Sequence, residues 1–590
     1  KGRVYTEIPP FSPLSLKADV WTHFGFKAKE GNQGIDKTNA ICKHCQASIR
    51  HTGNTTNLRA HLQRHHADKL MAPTPKQRRL DFQEPKVTTT KAELNRLVAS
   101  FVVEDMLPIS TVESPSFRNV LARIPVSGRP PSDRKTFASY LDQCYEKMET
   151  QVKQTFETLE IVSTTADIWT TCNKSFLGMT SHWINPENFQ REKAAIACKR
   201  IKGRHTYDVV ASEIEQRHSS YGLSHKVTAT VTDNGSNFVK AFKVYECQAL
   251  DGEEEEVNDG DQETVFTDME DVLCSGNDTD SEGQFSLPPH FRCASHTLNL
   301  ISTNDVNKWL TANSESKNVY RSATAKCSAL WTQASRSTVF VVPTSTRWNS
   351  FHDALSRIIV LPLQTLNSLC SRLEIKAFIE KEYQFLKEYC AGMKPITVAL
   401  DILQGEDNCF YGALLPTLES LMSRTVALKQ GLSRRTAGLP DAIVEVGLFY
   451  IEFQFSHSKA LLAAVTLPQF KLRWLKEEDR REALRTLLTT ECRATRNDGQ
   501  EDDDVTPYDS ETEVIDYLKS GSDMEVLNRF PTIKRLFMKY NTATPSSAPV
   551  ERLFSLGSLV LSPRRNRLSD KRFERLLLMR FNHFFDKCVN

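Results

Sequence analysis

The stretch from Glu160 to Thr232 constrains the fold of this chain more than any other. Three runs rich in β-branched and aromatic residues, Ile161 to Ile168, Phe176 to Ile184 and Lys193 to Ile201, follow one another closely across polar or Pro-containing turns. Runs of this length and composition are strand-forming, and their close spacing indicates an antiparallel meander. A helical segment over roughly Thr206 to Tyr221 comes next, and then a fourth β-branched run, Lys226 to Thr232, which ends in Asp233-Asn-Gly-Ser-Asn237.

Strand, strand, strand, helix, strand, helix is the opening order of an RNase H-like fold. Two carboxylates fall at suggestive places in it. Asp167 lies near the end of the first strand in Thr164-Thr-Ala-Asp167-Ile-Trp169, and Asp233 terminates the fourth. If the two strands are neighbours, these acids can share a hard cation, since oxygen ligands are what Mg²⁺ requires. An Asp before Asn-Gly is also a common turn former, and composition leaves the two readings open.

A chain of 590 residues is several domains long at roughly 150 residues per domain. Its hydrophobic fraction of 39% and charged fraction of 25% are those of a globular protein. No apolar run approaches the ~18 residues that span a bilayer, so no membrane association is expected. Nothing near Lys1 resembles a charged stub followed by an apolar signal segment. The 14 cysteines are scattered except for one Cys-x-x-Cys, which points to a reducing compartment and metal binding rather than a disulfide framework. The net charge of +2 conceals an asymmetry, because Asp251 to Gly283 holds fourteen acids and no Lys or Arg. The remainder carries 75 bases against 59 acids, which suits a polyanionic partner. The acidic stretch lacks apolar periodicity and is expected to be disordered, either a plain tether or a competitor of DNA for the basic surface. Asp498 to Asp504 reads as another exposed loop.

Cys42 and Cys45 are followed by His61 and by His65 and His66, the ligand spacing of a closed zinc site with the first pair on a knuckle and the second on a helix. Only one of His65 and His66 can complete four ligands. Met71 to Thr90, with three prolines and Lys76-Gln-Arg-Arg79, has linker composition and carries a weak nuclear-import signal. From Lys91 to about Glu157 the periodicity is helical, broken by several prolines. From Phe351 to about Thr490 Leu, Ala, Glu and Lys again recur at helical spacing. Near the end, Phe573, Leu576, Leu577, Met579, Phe581, Phe584 and Phe585 give a strongly apolar amphipathic helix, to be covered by the chain's own core or by a second subunit.

The segment from Val20-Trp21-x-x-Phe24 through Cys42-x-x-Cys45 to His61-Leu-Gln-Arg-His-His66 resembles a BED-type zinc finger. That resemblance implies that the aromatic pair packs beside the knuckle and favours His66 as fourth ligand. It also implies DNA binding, for which Arg50, Asn57, Arg59, Gln63 and Arg64 are suited to phosphate or base-edge contacts. The Asp167 and Asp233 stretches, with Cys293-Ala-Ser-His296, Thr346-Arg347-Trp348-Asn349 and Ser547-Ala-Pro-Val-Glu551-Arg-Leu-Phe-Ser555, resemble in their order the DNA transposases of the hAT superfamily. An acidic Asp278-Thr-Asp-Ser-Glu-Gly283 insertion makes the likeness strongest to vertebrate-active hAT elements.

The hAT resemblance implies a multidomain α+β chain. Its parts are a BED finger over residues 1–72, a linker over 73–90, and a helical DNA-binding and dimerisation domain over 91–157. The first part of an RNase H-like core covers 158–300, with an acidic loop over 251–285. An all-α insertion covers 301–530, and the last core segment with a helical dimerisation region covers 531–590. It implies an acidic triad of Asp167, Asp233 and Glu551 holding Mg²⁺ or Mn²⁺, a structural Zn²⁺ on Cys42, Cys45, His61 and His66, and self-association. Glu551 follows Pro549 on the first turn of an expected helix, where it faces the core or simply favours the helix dipole. The implied reaction nicks the transposon end, leaves a hairpin on flanking DNA and joins the freed 3′ end to target DNA, in the nucleus. Trp348 would serve as a platform for an unstacked base and Arg347 as a phosphate clamp, or Trp348 is core packing. Cys293-x-x-His296 lacks a second pair nearby and is assigned no metal; His296 would contact DNA or support the acids. The alternatives are a domesticated descendant that binds DNA without cutting it and a zinc-dependent interaction scaffold.

Overall fold

The computed structural model describes residues 18–28, 35–69, 89–124, 126–127, 133–171, 173–246, 286–334, 342–343, 349–450, 457–497, 509–561 and 568–586. They form two compact units, residues 1–89 with 125–127 and residues 90–124 with 128–590. The acidic stretches Asp251 to Gly283 and Asp498 to Asp504, the basic Lys76-Gln-Arg-Arg79, and Arg347 and Trp348 lie outside the described residues.

The first unit is a small finger of three strands and a helix. Strands β1 (Phe24–Ala28), β2 (Ile35–Cys42) and β3 (Ser48–Arg50) make an antiparallel sheet in that order, and helix α1 (Thr56–His65) follows. The turn between β2 and β3 closes through the Gln46 N–H on the Cys42 carbonyl at 2.9 Å, with Gln46 in a left-handed conformation (φ 61°). Val20, Trp21, Phe24, Phe26, Leu58 and Leu62 pack as its core. A unit this small buries too little apolar surface to be robust alone, which is where a metal staple contributes.

The second unit begins with α2 (Lys91–Glu104), capped by the Thr90 hydroxyl on the Glu93 N–H, and α3 (Arg134–Glu157), capped by Asp133 on Thr136. Strands β4 (Val162–Thr171), β5 (Lys174–Ile184) and β6 (Arg191–Ile201) form the meander. Helix α4 (Tyr207–Ser220), β7 (Val227–Thr232), α5 (Ser236–Tyr245) and a three-residue β8 (His290–Arg292) complete the sheet's topology. The strand order is β8-β7-β4-β5-β6, with β7 and β8 parallel to β4 and the meander antiparallel. The four expected strands and the α4 helix are present with edges shifted by up to three residues; β8 is an addition.

Phe156, Val210, Ile214, Phe238 and Phe242 cover one face of the sheet. After α6 (Ala294–Leu300) the chain becomes helical through α7 (Ser314–Ala334), α8 (Ser350–Ile359), α9 (Glu380–Leu403), α10 (Leu414–Ala427), α11 (Ser458–Thr466), α12 (Glu478–Asn497), α13 (Ser510–Lys519) and α14 (Pro531–Asn541). It then returns to the sheet as α15 (Ala548–Val560) and α16 (Asp570–Phe581), which cover the other face. The apolar side of α16 is buried within the chain, Phe573 at 1% and Leu577 at 0% exposure, so of the two ways to cover it this structure uses the chain's own core. Helices α2 and α3 pack on α16 and belong to the same compact unit as the core rather than standing apart. No described helix is long and apolar enough to cross a membrane.

Candidate active site and metal centre

In the finger, one donor atom each from Cys42, Cys45, His61 and His66 lies within 4.8 Å of the others. The Sγ of Cys45 is 3.3 Å from Nε2 of His61, and Nε2 of His66 is buried without a hydrogen-bond partner. An orphaned buried imidazole nitrogen facing two sulfurs and a second imidazole is what a tetrahedral Zn²⁺ site needs when its ligands are brought together. Burial lowers the pKa of His61, aided by the neighbouring His65 and His66, which keeps it in the neutral form a ligand requires. His65 stands outside the donor cluster. The Trp21 and Phe26 rings sit 5.0 Å apart, and Phe24, which pairs with Cys42 across the sheet, lies edge-on to His61 at 6.0 Å. Arg50 is exposed at the end of β3, and Asn57, Arg59, Gln63 and Arg64 are exposed on α1. Arg59 is paired with Asp19, an interaction that a phosphate would have to displace.

In the second unit the sheet brings Asp167 and Asp233 together. Parallel register pairs Ala166 with Thr232, so the two acids occupy the next position on adjacent strands. Asp233 Oδ1 accepts the Gly235 N–H at 3.0 Å, so Asp233 is a turn former. Asp167 Oδ1 accepts the N–H of Ile168 at 2.7 Å. Glu551 arrives from the far end of the chain on the first turn of α15, whose Pro549 occupies an N-terminal position. That helix can approach because the residue opposite Asp167 in β5 is Gly178. A Cβ there would lie 2.5 Å from the Phe554 ring and 2.7 Å from Val550 Cγ2.

Electrostatics bind the three acids into one site. Burial, then the charges of Asp233 and Glu551, push the Asp167 pKa well above its usual range, against the bond from Ile168. Burial and the Asp233 charge raise Glu551 to about 7, although Arg552 opposes the shift. Arg552 is held away from neutralising the acids by its bonds to the Gln404 carbonyl at 2.5 Å and Glu406 at 3.1 Å. Among the described residues only the finger's four donors crowd within 4.8 Å. His296, on α6, lies near enough to Asp233 to feel its charge, which raises a pKa that burial lowers. Its motif neighbour Cys293 is buried and engaged with backbone N–H groups, not with a metal cluster. Asn349 Nδ2 donates to the Thr397 carbonyl at 3.1 Å and to Asp401 at 2.7 Å, which ties the start of α8 to α9.

Sequence reasoning missed Gly178, Arg191 and Arg552. Arg191 is buried and donates to the carbonyls of Asn541, Thr542 and Ala543, at the point where the helical part returns to the core. The β-branched pattern of the strand ran to Lys193 and gave no reason to look two residues earlier.

Fold and sites together define a BED-finger protein with an RNase H-like core that is split by a helical segment. Residues 18–67 match the BED zinc finger family, residues 165–261 the ZBED1 RNase-like domain, and residues 496–583 the hAT family C-terminal dimerisation region. Over 313 residues the chain is 24% identical to the Putative AC transposase of Zea mays, covering 50% of this chain and 35% of the relative. The Putative AC9 transposase of Zea mays matches at the same identity over 34% of its length. The alignments thus span about a third of these relatives. In its finger and its C-terminal region the chain is thus similar to proteins of the hAT transposase family.

Proposed function

We propose that this chain is a cut-and-paste DNA transposase. It binds the terminal inverted repeats of its element, cleaves by metal-dependent phosphoryl transfer with hairpins left on flanking DNA, and joins the transposon 3′ ends to target DNA. The observation that carries the reading is the convergence of Asp167, inside β4, with Asp233, just past the end of the adjacent parallel strand, and Glu551, from a helix more than three hundred residues further on, the charge of Asp233 raising the proton affinity of both Asp167 and Glu551. Repulsion that keeps Asp167 and Glu551 raised even with Arg552 opposing it at Glu551 favours occupation by cations. Mg²⁺ or Mn²⁺ bound there would supply Lewis-acid charge to the attacking and departing oxygens. The protein's own part is to fix the carboxylates: Asp233 through its turn, Asp167 through the Ile168 N–H and Glu551 through its helix. His296, near enough to Asp233 to feel its charge, would contact DNA or support the acids. No covalent protein intermediate is needed, because water and then DNA 3′-hydroxyls act as the nucleophiles.

Cys42, Cys45, His61 and His66 would hold the structural Zn²⁺, and Arg50, Asn57, Arg59 and Arg64 would engage DNA. Arg347 and Trp348 would contact the distorted strand. The domain limits expected above, self-association as a homodimer or larger assembly, and a nuclear site of action belong to the same proposal, as does the likeness to vertebrate-active elements. The test is cleavage of a labelled duplex carrying the element's own terminal repeat, with Mg²⁺ or Mn²⁺, by the wild type and Asp233→Asn. Metal-dependent nicks and flanking hairpins should appear and fall at least about a thousandfold in the variant. Binding without cleavage by either protein would replace this reading with that of a domesticated DNA-binding regulator.

A further inference from the structure

Cys293 is fully buried and sits where three segments meet. Its own N–H donates to the Thr232 carbonyl at 2.8 Å, at the end of β7 and one residue before Asp233. Its Sγ accepts the His296 N–H at 3.3 Å, which caps α6, and the Ser547 N–H at 3.2 Å, which lies on the turn that opens α15. The neighbouring Ala294 N–H donates to the Pro545 carbonyl at 3.0 Å, so the same turn is gripped twice. Burial pushes the thiol pKa up, so the group stays protonated and can point its S–H toward Ser546 Oγ, 3.7 Å away. On the other side of this connection Arg191 and Ser163 hold the Thr542 carbonyl at 2.6 and 2.8 Å. The segment that delivers Glu551 is thus fastened at both ends, by Arg191 where it leaves the helices and by Cys293 where α15 begins.

We propose that Cys293 is a positioning residue of the acid site, holding the strand end that carries Asp233, the helix that carries His296 and the turn that sets Glu551 in one mutual register. It touches no substrate. The argument rests on the reading of the three acids as cation ligands. A thiol acceptor is individually weak, but two backbone N–H groups from segments more than two hundred and fifty residues apart bond to this one atom, and its loss leaves the buried Ser547 N–H and the part-buried His296 N–H without that acceptor. Serine keeps a donor and an acceptor at the site with shorter reach; alanine keeps neither.

The experiment compares full-length, zinc-loaded wild type, Cys293→Ala and Cys293→Ser by three readouts. Hydrogen exchange of the Ser547 amide should quicken about tenfold or more in Cys293→Ala, while the amides of α4 and α5 exchange as before. Mn²⁺ titrated alone and followed by electron paramagnetic resonance should half-saturate at about tenfold higher concentration. On terminal-repeat DNA, kcat should fall while KM stays within about twofold, and Cys293→Ser should recover most of each loss. Wild-type exchange and Mn²⁺ dependence in Cys293→Ala would overturn the proposal. So would exchange that quickens equally throughout α4 and α5, since Cys293 would then be a general core residue. A wild type that binds Mn²⁺ and cuts no DNA would sink the transposase reading, yet the exchange and Mn²⁺ readouts would still decide the positioning role.

Discussion

His218 is buried between α4 and the sheet at 3% exposure, with Nε2 3.1 Å from Thr164 Oγ1, whose hydroxyl in turn meets Thr230 across β4 and β7. Burial drops its pKa to about 4. The unfolded chain takes up this proton near the ordinary value of ~6.5, whereas the folded chain refuses it until about pH 4. The stabilisation is therefore complete above pH 6.5 and is lost as the pH falls from there toward 4, at a slope of about 1.4 kcal/mol per pH unit. His218→Gln, which keeps a hydrogen-bonding group, should make unfolding free energy against pH shallower by about one proton's worth over that window. An unchanged slope in urea melts between pH 4 and 6.5 would rule this out. Gly178 makes a sharper steric statement. Gly178→Ala drives a methyl group into the Phe554 ring and should cost about 1–3 kcal/mol while slowing DNA nicking, because α15 must retreat and take Glu551 with it. Phe554→Leu in the same chain should return part of both losses, and additive effects in the double-variant cycle would refute the contact.

At the scale of elements, the finger should behave as a metal-dependent unit. Chelation, or Cys45→Ser, should unfold residues 18–69 without moving the melting transition of the larger unit, as two compact units imply. Zinc measured by plasma emission should stay near one per chain in His65→Ala and drop in His66→Ala, since only His66 lies in the donor cluster. Equal retention by both would reassign the fourth ligand. The spacing Cys42-x2-Cys45-x15-His61 was readable in the sequence because a local metal site is written within a few turns of chain. The choice between two adjacent histidines was not, since it hangs on how α1 ends. The strands of the meander were equally plain from their β-branched runs. By contrast, β8 is three residues long and follows an acidic stretch, too short to show a period of two. Gly178 stayed silent, and Cys293, visible as part of Cys293-Ala-Ser-His296, showed no role of its own, for another reason: each matters through a helix or turn several hundred residues away, and a single glycine in a strand or cysteine before a helix does not name its partner.

Across the larger unit, its first helices meet its last. The apolar residues of α16 lie under α2, α3 and β6, and the seam is closed by charge as well as packing. Asp142 of α3 receives two parallel bonds from Arg572, at 2.7 and 2.8 Å, and a third from Arg575 at 2.5 Å. Those guanidinium groups hold its carboxyl below the usual range against the opposing effect of burial. Sequence periodicity presented α16 as a face needing cover but could not say whose, because a helix's apolar stripe carries no address. The charge pattern adds one: two arginines three residues apart on α16 match one acid on α3. Asp142→Ala leaves both cations partly buried without a counter-ion, a larger defect than the loss of an exposed pair. It should lower unfolding free energy by about 2–3 kcal/mol. Arg575→Ala added to it should recover a fraction, because one orphaned charge is then gone while the packing of Phe573 and Leu577 stays intact. If Asp142→Ala melted in urea like the wild type, the seam would be held by apolar contact alone. The C-terminal helix would then be free to separate from α3 when a second subunit binds.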